Sequence, residues 1–158
     1  MIANAQIADA QTANAQIAND GQSMERQQFS TGTPWEAIAG YSRAVRVGAF
    51  VYVAGTTASN AAGEIQHRGD LYGQTVYILR KIESALQAVE ASLQDVVRTR
   101  VYLTNMDGWQ QATQAHGEFF RDIRPANTLV EVSRLATPEM LVEIEVDAVV
   151  THAPESER

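Results

Sequence analysis

Three carboxylates, Glu143, Glu145 and Asp147, alternate with Ile144, Val146 and Ala148 near the end of the chain. Residues two apart in a strand share a face, so an extended segment here sets all three acids side by side. Crowded like charges resist ionising together. That raises the pKa of at least one of them and suits it to move a proton near neutral pH. The same row also fits a plain charge ladder balanced by Arg98 and Arg100, a common structural use of such residues. His67, His116 and His152 are scattered over a loop, a helix stripe and the C-terminal tail, which does not suit a shared metal site. His116, on an apolar helix face, reads as a core histidine with its hydrogen bonds satisfied. There is no cysteine, which excludes a cysteine nucleophile, a thiolate zinc site and a disulfide framework. P-loop, GxGxxG, HExxH and GxSxG motifs are absent. No metal and no organic cofactor is expected.

The elements that must position these residues belong to a chain of 158 residues, a length that suits one domain. Hydrophobic residues at 45% and charged residues at 20% fit a soluble globular protein. The net charge of −7 argues against general nucleic-acid binding and against docking on anionic membranes, both of which need Lys and Arg. No apolar run approaches the roughly 20 residues of a membrane span. The N-terminus lacks the basic and apolar regions of a secretory leader, so the cytoplasm is the default expectation. Residues 1–23 stand apart. The run at 3–9 returns almost unchanged at 13–19, and only Ile2, Ile7 and Ile17 are bulky and apolar. This segment is expected to be a disordered low-complexity tail, with a marginal helix as the alternative, followed by a single domain over 24–152 and a frayed end over 153–158.

Within the domain, residues 44–53 alternate and carry a glycine at Gly48, which predicts a β-hairpin. Asp70 is placed to cap a long helix with a stripe at Tyr72, Val76, Leu79, Ile82, Leu86, Val89 and Leu93. A strand over 96–103 would set Val97, Thr99, Val101 and Leu103 on one side and Arg98, Arg100 and Tyr102 on the other. A second helix has its stripe at Trp109, Ala112, His116, Phe119 and Ile123, and Arg124-Pro125 stops it. Strands over 128–135 and 141–150 complete the order β-β-α-β-α-β-β. Two amphipathic helices cover one face of such a sheet. The other face is expected to hold Arg98, Arg100, Glu131, Glu143, Glu145 and Asp147, mixed with Tyr102 and Leu129. Opposite charges paired across strands would let that face pack against further copies of the chain.

The stretch R-P-A-N-T-L-V-E-V-S-R-L at 124–135, followed by L-V-E-I-E-V-D-A at 141–148, resembles the signature of the YjgF, or reactive-intermediate deaminase (Rid), family. Its older label is the L-PSP endoribonuclease family. Gly40-Tyr41-Ser42, Val53-Ala54-Gly55 and Gly117-Glu118-Phe119-Phe120 resemble further family segments, and the similarity spans about residues 29–150. The resemblance implies an α+β, chorismate-mutase-like fold, a mixed sheet with two helices on one face. It also implies a homotrimer with sheets inward and a small-molecule ligand held in clefts between subunits. In active members an arginine grips the carboxylate of a small enamine or imine. A glutamate activates water, and a tyrosine and a small hydroxyl residue line the cleft. Matched position by position, the glutamate is Glu143 and the tyrosine Tyr41. The hydroxyl position holds Ala54, the arginine position Asn127, and a frequent cysteine position Leu129. Gly55 and Thr128 are expected to help position the ligand through their backbone.

Two functions follow as expectations. One is hydrolytic deamination of a small imine or enamine, its substrate range altered because Asn127 replaces the charged, bidentate arginine clamp. The other is a trimeric binding or sensor protein that kept the cleft and lost the activity, which Asn127 and Ala54 favour. A ribonuclease role fits poorly with the acidic balance and the absence of a histidine pair.

Overall fold

The computed structural model describes residues 24–151. The tail expected over 1–23 and the C-terminal end from His152 onward lie outside the described residues. Six strands form one mixed sheet: β1 (Arg26–Phe29), β2 (Ala44–Val47), β3 (Phe50–Thr56), β4 (Val96–Leu103), β5 (Ala126–Glu131) and β6 (Val142–Val149). Their spatial order is β1-β2-β3-β6-β4-β5. Only the β4–β5 pair is parallel, because α3 (Trp109–Phe120) provides the crossover between them. The other long helix, α2 (Leu71–Gln87), links β3 to β4, and a short α1 (Pro34–Ala39) precedes β2.

Strand β6 shows the logic most plainly. Val142, Ile144, Val146 and Ala148 are buried beneath the helices, and Glu143, Glu145 and Asp147 face away. Helix α2 lays Ile78, Leu79, Ile82 and Leu86 on the same core. Asp70 caps it as expected, its carboxylate accepting from the Gly73 amide at 2.9 Å. The buried stripe runs through Leu71, Thr75 and Ile78 rather than Tyr72 and Val76, which are half-buried. At the far end of α2, Arg46 donates to the carbonyls of Val89 and Glu90 at 2.8 and 2.7 Å, where the helix dipole favours a cation.

Several expectations are corrected. β1 and α1 add a strand and a helix to the expected order. β5 runs over Ala126–Glu131, and beyond it the Val132 amide still bonds the Leu103 carbonyl at 2.8 Å. Val97 is not in the core but 47% exposed. The β4–β6 pairing slips between Val96 and Arg98, and this bulge turns Val97 outward while Val96 takes the inner position. Trp109, at the start of α3, is also exposed. Leu129 and Glu131 do not lie on the charged face. Register pairs Thr99 with Asn127, Val101 with Leu129 and Leu103 with Glu131, so these β5 residues share the helix side with the buried β4 residues. Leu129 packs against the core there, and Glu131 accepts from the Met106 amide at 2.8 Å.

Helix α1 is tied to the sheet through charge. Glu36 is 4% exposed and its carboxylate accepts from the Ser30 and Thr31 hydroxyls and the Thr31 and Gly32 amides. Arg43 lies 3.8 Å away. Burial alone would raise the Glu36 pKa, but those hydrogen bonds together outweigh it and hold the group below its ordinary value of 4.5. A carboxylate depressed by folding stabilises the fold above its unfolded pKa and loses that contribution as pH falls through the folded value. Glu36→Gln is therefore expected to cost about 1–3 kcal/mol at pH 7 and to weaken the loss of stability below pH 4.5, read by urea unfolding across pH.

Candidate functional site

The charged face of the sheet is organised by Arg100. Its guanidinium bonds Glu145 at 3.0 Å and Asp147 at 3.0 and 3.3 Å, and the Tyr102 hydroxyl donates to Glu145 at 3.3 Å. Two of the three carboxylates thus serve the charge ladder, whereas Arg98 makes no ion pair with a described residue. The third, Glu143, is placed differently. It is half-buried and opposite Tyr102 in register. Its pKa is raised, first by burial and then by the neighbouring charge of Glu145, with Arg43 acting in the opposite sense. Glu143 is the member of the row whose surroundings favour holding and releasing a proton.

A break in β3 makes room for it. The β3–β6 register shifts between Val53 and Thr56, so Ala54 and Gly55 occupy a bulge. A Cβ on Gly55 would land on Glu143 Oε1 and lie 3.1 Å from its Cδ. Glycine is required here by close approach, not by backbone angle. Arg43 holds the bulge from the other side, donating to the Gly55 carbonyl at 2.7 Å and to Thr56 Oγ1 at 3.1 Å. The same guanidinium donates to the Tyr41 hydroxyl at 3.3 Å. Sequence reasoning missed Arg43. Its one signal is a cation directly before an apolar strand and two residues after the tyrosine. Gln74, fully buried on α2, fixes the approach to β6 by accepting from the Leu141 amide at 2.9 Å and donating to the Glu139 carbonyl at 2.8 Å.

Tyr41 and Ala54 line one open concavity of about 420 Å³ with Gln28, Tyr52, Glu145 and Asp147. The positions identified from sequence therefore separate into two groups. Glu143, Gly55, Ala54 and Tyr41 gather at the bulge and the charged face, and Thr128 shares that face at the β5 edge, opposite Arg100. Asn127 and Leu129 lie on the helix side of the same edge strand. Asn127 Nδ2 donates to Thr99 Oγ1 at 2.8 Å, and the same oxygen lies 2.9 Å from His116 Nε2. His116 has a partner, as a core histidine should, and stacks at 4.7 Å on Phe120. Within the chain the sheet stands between Asn127 and Glu143. Among the described residues no cluster of His, Asp or Glu could hold a metal ion, and no helix is long and apolar enough to cross a membrane.

Known proteins with this pattern are informative. The family model described as Endoribonuclease L-PSP matches residues 31–150. A RutC family protein of Pyrococcus horikoshii is 36% identical over 123 residues, covering 77% of this chain and 95% of that protein. The 3-aminoacrylate deaminase RutC of Acinetobacter baylyi is 32% identical over 113 residues, covering 72% and 88%. A crystal structure from Mycobacterium tuberculosis, described as a member of the YjgF/YER057c/UK114 family, superposes with a TM-score of 0.73 at 45% identity. The match covers 80% of this chain and all of that one.

The bulge yields a direct test. Gly55→Ala is expected to displace the Glu143 carboxyl while leaving the core intact. In the Glu143 side-chain carboxyl titration followed by NMR, the raised pKa should move toward 4.5 as the group is pushed into solvent.

Proposed function

The chain belongs to the endoribonuclease L-PSP family, the family of the RutC and YjgF proteins, and from that premise we propose that it hydrolyses a small imine or enamine in a cleft between subunits of a homotrimer. The supporting observation is Glu143: a half-buried carboxyl with a raised pKa, seated against a glycine bulge, with a tyrosine tied to the same arginine that holds the bulge. A group of this kind takes a proton from water as the oxygen attacks the imine carbon. It then returns that proton to nitrogen to give a carbinolamine, whose hydroxyl proton passes to the nitrogen as the C–N bond breaks, so that ammonia leaves and a ketone remains; an enamine first takes a proton on carbon to become the imine. Tyr41 would orient the ligand, and Ala54 with Leu129 would give the cleft an apolar lining. The residues present call for no cofactor in this scheme.

The separation of Asn127 from Glu143 supports the trimer. A sheet cannot bring its two faces together, so Asn127 and Leu129 reach a Glu143 cleft only from the β5 edge of a neighbouring copy. The charged face, with Tyr52 and Phe50 about half exposed beside the Arg100 ladder, supplies the surface that the β5 edge of the next copy would meet in that assembly. The alternative of a binding or sensor protein draws on the same two substitutions, Asn127 and Ala54, which remove the charged clamp and the small hydroxyl. The family's ribonuclease label fits the net charge of −7 poorly.

An enzymatically generated 2-aminoacrylate, followed by pyruvate formation, tests the reading. Asparagine offers neutral hydrogen bonds where arginine offers charged ones, so wild-type turnover of this carboxylated substrate should be weak. Asn127→Arg should raise it by about 10–100-fold. Adding Glu143→Gln should abolish that gain. The surviving rate should rise with pH through a pKa above 4.5, because only the ionised Glu143 accepts a proton from water. A trimeric Asn127→Arg protein without activity would leave the binding reading in place.

A further inference from the structure

The hydroxyl of Thr99 has one proton and two neighbours. It accepts from Asn127 Nδ2 at 2.8 Å and lies 2.9 Å from His116 Nε2, the one other polar partner shown for it, so we assign its proton to that nitrogen. That arrangement requires His116 Nε2 to be unprotonated, with the ring proton on Nδ1. Thr99 is fully buried, so no water competes for its hydroxyl. The imidazole is half-buried and packs against Phe120 of its own helix and Thr99 of β4. No charged group among the described residues bears on it, and burial lowers its pKa from the ordinary 6.5. The ring is therefore neutral at pH 7.

The consequence falls on Asn127. One of its two amide protons is committed to Thr99. What remains for a ligand is one N–H and the Oδ1 oxygen, a donor beside an acceptor. A primary carboxamide matches that edge twice, N–H to Oδ1 and C=O to N–H. A carboxylate has two acceptors, and one of them would meet Oδ1 with neither able to donate. We infer that Thr99 and His116 are positioning residues that set the Asn127 amide to read a carboxamide on the ligand rather than a carboxylate. The inference deepens the cleft reading above and rests on it. It assigns the substrate class as a small imine or enamine bearing a neutral amide at the end where the arginine-containing relatives hold a carboxylate.

The opposite hydrogen-bond order is chemically definite. If His116 Nε2 carried the proton and donated to Thr99, and the Asn127 amide were turned over, Thr99 would donate to Asn127 Oδ1 and both Asn127 N–H groups would face the ligand. That edge suits a carboxylate. Nitrogen-15 NMR of the imidazoles in the full-length protein at pH 7.5 distinguishes the two: an Nδ1–H tautomer at His116 is expected, and an Nε2–H tautomer overturns the inference.

Binding is read separately, without turnover, using pyruvamide and pyruvate as a pair that differs only in this group. Titrations followed at the Asn127 side-chain amide signal should show pyruvamide bound about tenfold more tightly than pyruvate. Thr99→Val, which keeps the shape and removes the hydroxyl, should bring the two within about twofold, while Thr99→Ser should retain the preference. Equal or weaker binding of the amide by wild type, no binding of it at all, or an unchanged preference in Thr99→Val would overturn the inference. Because these readouts need no chemistry, loss of the deaminase reading through an inactive Glu143 site would leave them standing, and their failure would leave Glu143 untouched.

Discussion

Side chains in a strand alternate, and that constraint divides this molecule into two chemistries separated by one layer of backbone. Along β6 it sends Val142, Ile144, Val146 and Ala148 into the core beneath α2 and α3 and sends Glu143, Glu145 and Asp147 the other way. Along β5 it sends Asn127 to the helix side. Core and charged face are therefore consequences of the same pattern, and neither can be altered by shifting register without exposing the other's residues. The functional proposal inherits the division, since a cleft that uses both Glu143 and Asn127 requires the edge of one sheet to meet the face of another.

The bulge in β3, like the one at Val97 in β4, breaks that alternation, and here the break makes room for a side chain. One extra residue between Val53 and Thr56 opens the space that Glu143 occupies, and Arg43 fills the polar requirements of the displaced backbone. Arg43 is itself held beside the buried Glu36, whose carboxylate is anchored by the Ser30–Gly32 turn. A chain of contacts thus runs from α1 through Arg43 to Tyr41, Gly55 and Glu143. The links through Arg43 are hydrogen bonds or an ion pair and the last, Gly55 against Glu143, is close packing, so the placement of the carboxyl depends on residues far from it in sequence.

Periodic features were legible from the residues alone. The β6 row, the Asp70 cap, the hairpin at Gly48 and the order of the five later strands and two long helices follow from spacing, and the family pattern at 124–148 agrees with them. Bulges were not legible, because one extra residue leaves no mark on composition, and Val97 was misplaced for that reason. Leu129 and Glu131 were misassigned because β5 is an edge strand with mixed polarity on both sides, so only its parallel register with β4 reveals which residues turn inward. Arg43 and the Thr99–His116 pair stay hidden because the contacts of Arg43 with Gly55 and Thr56, and of Thr99 with His116, span 12 to 17 positions, which no local pattern encodes.

A shared cleft requires copies of the chain to associate through the charged face and the β5 edge. Sedimentation equilibrium at micromolar concentration tests this directly. Three copies of a 17.3 kDa chain predict a single species of about 52 kDa. A stable species of 17.3 kDa under the same conditions would leave Asn127 and Glu143 on opposite sides of one sheet and contradict the shared cleft.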